Sequence, residues 1–422
     1  MVEDICNDPF GSGFGSSKMT RRFKESSCKP GKPCHVYLTV SEDLRTSTVV
    51  IFHTAKPYNT KPSCKYGELS GDGYPNEVQG ETYEIKFDSK RYIHYVGINQ
   101  LTPNTDYKFI CGESGETDDW SDEKQFRTSY NSLSDGKITF AVGADTNVIK
   151  ETNQITEMMA NNNPNFAAIA GDLALTNGNV HCYRKWDKWL SNWGKYAKSN
   201  NNLIPILPTI GNHETQTGYR KTEKPDTTIA PFFMTLFQHN SKIKKDPFTQ
   251  KTYQVSRITD VIAFISLDTN HVYSEVEQED WVEENLVKLR NEGVKYIFPI
   301  YHVPAFPSDR KFSVQQSLAI RESWVKLFDK HDITLAFEGH SHMLKVTKPI
   351  RDGLVVEQTQ GTRYLGDGAW GRLRDRRDTT VTRWYEDHVD SIRHVWMVDV
   401  DEDNLTASAK NDKNEIQASI HY

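Results

Sequence analysis

Metal-ligating side chains follow five short apolar segments of this sequence, each at the point where a buried strand would end. Asp145 follows ITFAVGA and Asp172 follows FAAIAG, whereas the other three segments end in Gly-Asn-His-Glu, His-Val-Pro and Gly-His-Ser-His. The candidate side chains in these three motifs are Asn212, His213, Glu214, His302, His340 and His342. Because ligands bind at the carboxyl ends of strands in α/β sheets, we expect these groups to meet at one edge.

The donor types predict a centre with two metal ions. Carboxylate, amide and imidazole ligands suit Zn, Fe or Mn, and one shared carboxylate can hold two ions about 3.5 to 4 Å apart. Such a pair lowers the pKa of a bound water, which makes that water a nucleophile. A single Asp or His after a strand is more often a helix cap or a surface group, so the prediction depends on the ordered set.

The segments that carry these groups are typical of an α/β domain. Nearly continuous apolar runs alternate with amphipathic segments, as expected for buried strands separated by helices. Ser274 and Glu277 form a capping box for a predicted helix that ends near Gly293, and a second helix is expected around 314–329. The predicted strands are KITFAV, FAAIA, LIPILPTI, VIAFISL, YIFPIYH, ITLAFEG and LVVEQT, followed by a closing hairpin in HVWMVDVDEDNLTASAK.

The preceding part of the chain is predicted to be a β-sandwich, because strand-like runs and turn clusters alternate there. The stretch HYVGINQLTPNTDYKFICGE resembles a fibronectin type III module, with Leu101, Pro103 and Tyr107 at a corner between two strands. The alternative is an unrelated β-sandwich. The predicted organisation is an extension over 1–34, this sandwich over 35–130 and a catalytic domain over 137–422.

Six cysteines indicate an oxidising compartment. Five precede residue 130 and only Cys182 follows it, so complete pairing requires a disulfide between the two parts of the chain. The start of the sequence lacks the basic and apolar segments of a signal peptide, so the protein is either cytosolic or secreted after removal of a leader. Together with the sequon at Asn404, the even cysteine count favours a secreted glycoprotein.

Composition excludes two classes of partner. A net charge of −6 provides no basic field to hold nucleic acid. No apolar run approaches the roughly 20 residues needed to span a bilayer. The sequence does not determine the oligomeric state.

The ordered motifs resemble those of the calcineurin-like metallophosphoesterases, and among them the purple acid phosphatases. The stretches YHVPAFPS and YLGDGAWG are also similar to that family, which pairs a fibronectin-like domain with the catalytic one. The resemblance implies an N-terminal β-sandwich followed by an α/β/β/α four-layer sandwich, and hydrolysis of phosphate monoesters by a metal-bound hydroxide. The partner that it implies is a phosphorylated small molecule or a phosphoprotein. It also implies a ligand set: bridging Asp172, Asp145 and His342 on the first metal, and Asn212, His302 and His340 on the second.

Two departures from the family pattern concern the chemistry. Purple members carry a Tyr ligand three residues after the bridging Asp, whereas this chain has Leu175, so we predict a protein that is not purple. Asn147 is the best local substitute and His181 a weaker one. The loop after His302 offers no further histidine, so His213 is expected to stabilise the transition state and protonate the leaving group. The alternative for His213 is a purely supporting role.

Three further residues are predicted to contact substrate: Glu214, Arg363 and Tyr364. The arginine-rich segment 372–377 follows, and guanidinium groups suit phosphate, although such a segment is more often a solvated face. Two other functions stay open, namely a phosphodiesterase or nucleotide hydrolase on the same centre, and a non-catalytic surface binding protein that retains the fold. The missing Tyr favours the last, whereas the six matched ligands favour an enzyme.

Overall fold

The structure, a computed structural model, describes residues 6, 28, 32–85, 91–115, 119–374 and 383–422. The predicted extension over 1–34 therefore lies almost entirely outside the described residues. Over the described residues between 32 and 128, the regular elements are all β-strands. They are β1 (Cys34–Thr39), β2 (Thr48–Thr54), β3 (Pro62–Glu68), β4 (Asn76–Gln79), β5 (Glu81–Ile85), β6 (Arg91–Ile98), β7 (Asp106–Glu113) and β8 (Lys124–Arg127).

These strands form the predicted sandwich. One sheet has the order β1-β2-β6-β5 and the other the order β8-β7-β3-β4. Their inner faces share a core in which Val50 and Phe52 meet Phe109 and Phe126. Strands β3 and β4 have weak sequence signals, because β3 contains Pro, Lys and Gly and β4 is largely exposed. The hydroxyl of Tyr107 accepts a hydrogen bond from the N–H of Thr102 (3.0 Å), as the corner motif predicts.

The second part alternates strands and helices. Its strands are β9 (Ile138–Gly143), β10 (Phe166–Ala170), β11 (Lys198–Ser199), β12 (Asn202–Leu203), β13 (Ile206–Thr209), β14 (Gln254–Arg257), β15 (Ile262–Ser266), β16 (Tyr296–Ile300), β17 (Leu335–Phe337), β18 (Leu344–Thr347), β19 (Ile350–Arg351), β20 (Leu354–Val355), β21 (Arg363–Gly366), β22 (Glu386–Asp390), β23 (Val395–Val400), β24 (Leu405–Lys410) and β25 (Ile416–His421).

The helices of this part are α1 (Lys150–Asn161), α2 (Tyr183–Tyr196), α3 (Pro231–Leu236), α4 (Glu275–Asn291), α5 (Gln315–Ile320) and α6 (Lys326–Lys330). A π-helical segment, Arg321–Val325, joins α5 to α6. Short 3-10 turns lie at Leu133–Asp135, Val180–Cys182, Asn212–Glu214, Thr227–Ile229 and Pro247–Thr249. Within the described ranges, no helix is long and apolar enough to cross a membrane.

Two sheets pack face to face in this part, and the predicted α/β/β/α architecture is confirmed. Strands β25-β24-β23-β9-β10-β13 form one sheet and β14-β15-β16-β17-β21-β18-β22 form the other. Alternate side chains of β9 enter different cores, since Phe140 packs between the sheets against Phe264 and Phe298, whereas Ala141 faces the helices. Helices α1 and α2 cover the first sheet, and α4 to α6 cover the second.

The ends of α4 follow directly from its sequence. The Ser274 hydroxyl accepts a hydrogen bond from the N–H of Glu277, and the Glu277 carboxylate accepts one from the N–H of Ser274, which confirms the predicted capping box. The helix terminates before Gly293, whose φ of 83° requires a residue without Cβ strain. Between these ends, Val282 and Leu286 are fully buried and hold the helix against the sheet.

The two parts of the chain are joined through backbone and side chains. Thr39 in β1 pairs with Ile206 in β13, so the first sheet of the sandwich continues into the catalytic sheet. The hydroxyl of Tyr37 donates to the carbonyl of Leu236 (2.8 Å). A disulfide between Cys6 and Cys182 confirms the bridge that cysteine parity predicted, and the other disulfides are Cys28–Cys34 and Cys64–Cys111.

One predicted strand was wrong. LVVEQT was expected to be the last central strand, but only Leu354 and Val355 are extended there, in an exposed two-stranded hairpin with β19. The central position beside β17 belongs to β21, in which Tyr364 and Leu365 are fully buried. Both segments contain apolar residues. Those of β21 are covered because β21 pairs within the seven-stranded sheet, whereas Leu354 and Val355 pair only with the two-residue strand β19.

Candidate metal centre

The predicted ligands lie where strands of both sheets end at a common edge. Asp145 follows β9, Asp172 follows β10 and Asn212 follows β13 in the first sheet. His302 follows β16, and the His340 and His342 motif follows β17, in the second. The N–H of His340 donates to Asp145 Oδ2 (2.8 Å), so the two sheets meet at this edge.

The backbone at this edge adopts a conformation that ordinary residues rarely occupy. Asp145, Asp172, His340 and His342 have φ values of 59°, 55°, 75° and 60°. A left-handed conformation of a non-glycine residue costs about 1 to 3 kcal/mol and concentrates at functional sites. Each turn redirects the side chain after its strand ends, which brings the four groups toward one another. Gly368 packs so closely that an added Cβ would lie 1.8 Å from Asp145 Oδ2.

The atoms around His302 form a pocket for a cation. Its Nε2 lies 3.2 Å from Asp172 Oδ2, 3.1 Å from Asn212 Oδ1 and 3.1 Å from His340 Nδ1. Its Nδ1 lies 2.8 Å from the carbonyl oxygen of Ala170, so that nitrogen must carry a proton and donate it. In the neutral ring, Nε2 then carries a lone pair and faces two acceptor oxygens. A positive charge placed among these three atoms gives each of them a favourable partner.

Asp145 and His342 form a second group at the same edge. Nε2 of His342 lies 3.0 Å from Asp145 Oδ1, and both side chains are buried. In the described part of the chain, Asp145 Oδ1 receives no hydrogen bond of acceptable geometry, although it is inaccessible to solvent. A buried carboxylate oxygen this close to an imidazole nitrogen fits two ligands that face one ion.

The pKa shifts show that this edge attracts positive charge. Burial lowers the pKa of His302, but the Asp172 carboxylate outweighs burial and raises it to about 9. Burial acts to raise the pKa of Asp172, but the imidazoles of His302 and His213 hold it well below its usual range. Both shifts favour positive charge at this edge, in the place where the ligand chemistry favours a metal cation.

His213 lies beside the ligands. Its N–H donates to Asp172 Oδ1 (2.8 Å), and its Nε2 lies 3.7 Å from Asp172 Oδ2. Its Nδ1 is hydrogen-bonded to the side-chain oxygen of Asn177. Because Asn177 accepts at Nδ1, it orients the ring and directs Nε2 toward the centre. Burial lowers the pKa of His213.

The structure corrects the predicted role of Glu214. The side chain is fully buried, and its carboxylate accepts hydrogen bonds from the N–H groups of Asp172 (2.7 Å), Leu173 (2.9 Å) and Gly211 (2.9 Å). All of these donors belong to the two loops that carry Asp172 and Asn212. Glu214 therefore holds the two loops together and does not face a substrate.

The position of the missing Tyr is filled by the core. Leu175 is fully buried, and its carbonyl accepts a hydrogen bond from Lys185 Nζ (2.9 Å). Asn147 lies near the end of β9, and its Oδ1 accepts from the N–H of Val148 (2.8 Å). His181 is exposed, in the turn before α2. If Asn147 is a ligand, its Oδ1 must bind the ion through its second lone pair, because the first already accepts the hydrogen bond from Val148.

Arg363 and Tyr364 lie away from the edge, and we withdraw their predicted contact with substrate. Both are at the start of β21, roughly 13 to 17 Å along an extended chain from Gly368, which touches Asp145. Arg363 Nη1 pairs with Asp387 (2.8 Å), and Tyr364 is fully buried in the core beneath α5. Of the segment 372–377, residues 375–377 lie outside the described residues.

A buried charged network lies behind the ligands and was not predicted from the sequence. Lys345 Nζ lies 2.5 Å from Asp367 Oδ1 and also pairs with Glu338, and all three side chains are buried. Glu338 accepts hydrogen bonds from the Tyr301 hydroxyl (2.7 Å) and the N–H of Ala305 (2.7 Å). The network therefore spans the strand ends that carry His302, His340 and His342. Asp367 lies within YLGDGAWG, the one sequence signal that pointed to it.

The fold and the ligand arrangement define a metallophosphoesterase, and comparisons with known proteins agree. The family model described as calcineurin-like phosphoesterase matches residues 138–344, and that described as purple acid phosphatase, N-terminal domain, matches residues 33–128. The chain belongs to the purple acid phosphatase-like members of the calcineurin-like metallophosphoesterases. It is a metal-dependent phosphoesterase of a family that uses a dinuclear metal centre.

Individual relatives are distant in sequence. An uncharacterized protein of Mycobacterium tuberculosis is 24% identical over 381 residues, which cover 80% of this chain and 69% of the relative. The phosphoenolpyruvate phosphatase of Allium cepa is 24% identical over 315 residues, covering 72% and 60%. The purple acid phosphatase from yellow lupin seeds superposes with a TM-score of 0.78 at 16% identity over 93% of this chain and 74% of that one, which shows the shared fold.

Proposed function

We propose that this protein is a secreted phosphatase that hydrolyses phosphate monoesters at a dinuclear centre. The proposed ligands are Asp145, Asp172 and His342 for one ion, with Asn147 as a further candidate, and Asp172, Asn212, His302 and His340 for the other. The observation that carries the proposal is the approach of two acceptor oxygens and one imidazole nitrogen to within 3.2 Å of His302 Nε2. The identity of the ions, Zn, Fe or Mn, is a matter for metal analysis.

The residues of the edge have separate roles in this proposal. Metal ions held there supply a water of lowered pKa and neutralise charge on the phosphoryl group. Asp172 contributes the one carboxylate common to both sites. His213 donates its Nδ1–H to Asn177, so its Nε2 can donate a proton to the phosphoryl oxygens or the leaving oxygen only in the imidazolium form, which the nearby Asp172 carboxylate favours. Glu214 keeps the loops of Asp172 and Asn212 at a fixed separation.

Monoester preference and secretion are finer statements with their own support. The N-terminal domain is of the acid phosphatase type, and the relative from onion is named for phosphoenolpyruvate, a phosphate monoester. Three disulfides, including one that joins the two parts of the chain, favour an oxidising compartment. Asn404 is exposed in the turn between β23 and β24, where a glycan on the sequon can be accommodated.

The experiment that tests the function combines metal analysis with two substrates. Purified protein is loaded with Zn, Fe or Mn, its metal content is measured by mass spectrometry, and hydrolysis of p-nitrophenyl phosphate and bis(p-nitrophenyl) phosphate is followed across pH. Two equivalents of metal and faster monoester hydrolysis are expected. Faster diester hydrolysis would favour the phosphodiesterase alternative, and a fully loaded protein without either activity would favour the non-catalytic one.

Replacement of His213 is expected to separate chemistry from metal binding. His213→Ala removes the imidazole but leaves the ligand set complete, so the metal content should not change and kcat should fall by about 100-fold, as for loss of an acid–base group. The measurement is kcat alongside metal content in the same preparation. Loss of metal in parallel with activity would show that His213 only supports the ligands.

Loading with iron is expected to give a protein without purple colour. The family's colour comes from a Tyr ligand, and the corresponding Leu175 offers no donor atom. Visible spectra of the iron-loaded protein before and after mild oxidation check this prediction, with iron content measured on the same samples. A strong visible charge-transfer band at full iron occupancy would contradict it and indicate a phenolate ligand from elsewhere in the chain.

A further inference from the structure

Arg310 lies in the loop that follows His302, and two contacts fix this loop at the metal edge. The N–H and the hydroxyl of Ser308 both donate to Asp367 Oδ2, at 2.8 and 2.6 Å. The carbonyl of Asp367 accepts from the N–H of His342 (2.7 Å). Ser308 is fully buried, so it fixes the backbone two residues before Arg310, next to the proposed ligand His342.

The guanidinium of Arg310 lies two residues after this anchor and forms no salt bridge with another described residue. Its Nε is buried, and in the described ranges of the chain it has no hydrogen-bond partner. Burial and the charges of His302 and Arg310 together lower the pKa of His340, and Arg310 also interacts electrostatically with Asp145. A half-buried guanidinium that keeps its donors unused beside a metal edge is suited to an anion that arrives from solvent.

A second guanidinium makes the local surplus of positive charge larger. Arg374 Nη1 lies 3.2 Å from Asp309 Oδ2, and the N–H of Arg374 donates to the carbonyl of His342 (3.2 Å). Burial and the nearby charge of Arg374 lower the pKa of Arg310. Asp309 pairs with Arg374 and also acts on Arg310, so a single carboxylate is shared between two guanidinium groups.

We propose that Arg310 binds the phosphoryl oxygens of the substrate and selects dianionic phosphate monoesters over monoanionic diesters. This inference rests on the proposed hydrolysis of phosphate esters and deepens it. A monoester carries close to two negative charges above its second pKa of about 6, whereas a diester carries one. A planar guanidinium donates two parallel hydrogen bonds to a pair of charged oxygens. Esterification of one such oxygen removes both its charge and its capacity as a strong acceptor.

The test compares two esters with the same leaving group in Arg310→Ala and Arg310→Lys. At pH 7.5, Arg310→Ala should lower kcat/KM for p-nitrophenyl phosphate by about 10- to 100-fold, the effect of losing hydrogen bonds to a charged group. The value for bis(p-nitrophenyl) phosphate should change far less. The inhibition constant of inorganic phosphate should rise in parallel with the monoester effect. Arg310→Lys keeps the charge without the fork and should recover part of the loss.

Lys311→Ala is the matched control, because Lys311 is an exposed cation at the next position. It should leave both esters and phosphate inhibition unchanged, and all variants should retain the parental metal content. Equal losses for the two esters, or unchanged phosphate inhibition, would overturn the inference. If the parent hydrolyses neither ester, the proposed function fails, and the role of Arg310 is then tested by phosphate binding alone. Calorimetric binding of inorganic phosphate, weakened in Arg310→Ala, then supports the role of Arg310, and unweakened binding overturns it.

Discussion

Asp172→Asn is expected to abolish metal binding and activity together. Asp172 supplies the carboxylate of the group formed with His302 and His340, whose ligand atoms lie within 4.8 Å of one another. Its Oδ1 also accepts the N–H of His213. An amide keeps the shape but removes the negative charge, so both proposed sites lose their shared ligand. We expect kcat/KM to fall by at least about a thousandfold, which corresponds to roughly 4 kcal/mol of transition-state stabilisation.

Asp187→Asn provides the matched control for this experiment. Asp187 is also a buried carboxylate beside a histidine and an arginine, His35 and Arg91, but it lies on α2 and not at the metal edge. Its replacement should affect stability while the metal content per folded molecule stays at the parental value. Full activity and metal content in Asp172→Asn would exclude the proposed bridging role.

Lys345→Met is expected to produce the largest loss of stability. The substitution leaves the buried carboxylates of Glu338 and Asp367 without their cation, and removal of one partner of a buried charge pair costs about 3 to 5 kcal/mol. Urea unfolding of the metal-free protein measures this difference. Lys326→Met is the control, since Lys326 forms an exposed pair with Glu279 that is worth about 0 to 1 kcal/mol.

The same network predicts the direction of the pH dependence. Burial acts to lower the pKa of Lys345, but the Asp367 and Glu338 carboxylates outweigh burial and raise it above its ordinary value of 10.5. The contribution of Lys345 to stability is therefore complete below pH 10.5 and is lost as the pH rises through the folded-state pKa. Lys345→Met should remove this alkaline loss. A triple variant that also carries Glu338→Gln and Asp367→Asn should recover stability. A free energy of unfolding that is the same in Lys345→Met as in the parent would contradict the network.

The sequence by itself determined the elements whose signals are local. The apolar runs before Asp145, Asp172 and His302 are short and nearly continuous, a pattern that predicts buried strands from the neighbouring residues alone. The hydroxyl and carboxylate that cap α4 act within four residues of one another, so neighbouring positions suffice to predict them. The bridge from Cys182 followed from the parity of the cysteines. In each case the prediction needed the order of residue types and no knowledge of distant neighbours.

Only the tertiary structure decided what each side chain at the edge faces. Glu214 adjoins a ligand motif, yet it turns inward because three N–H groups of the neighbouring loops require an acceptor there. Arg363 lies at the far end of its strand, because the parallel pairing of β21 with β17 fixes which end reaches the centre. Lys345 is buried, and Ser308 holds the loop of Arg310 on Asp367, through contacts between segments far apart in the chain. The sequence thus predicted the proposed ligands, and packing decided which charges surround them.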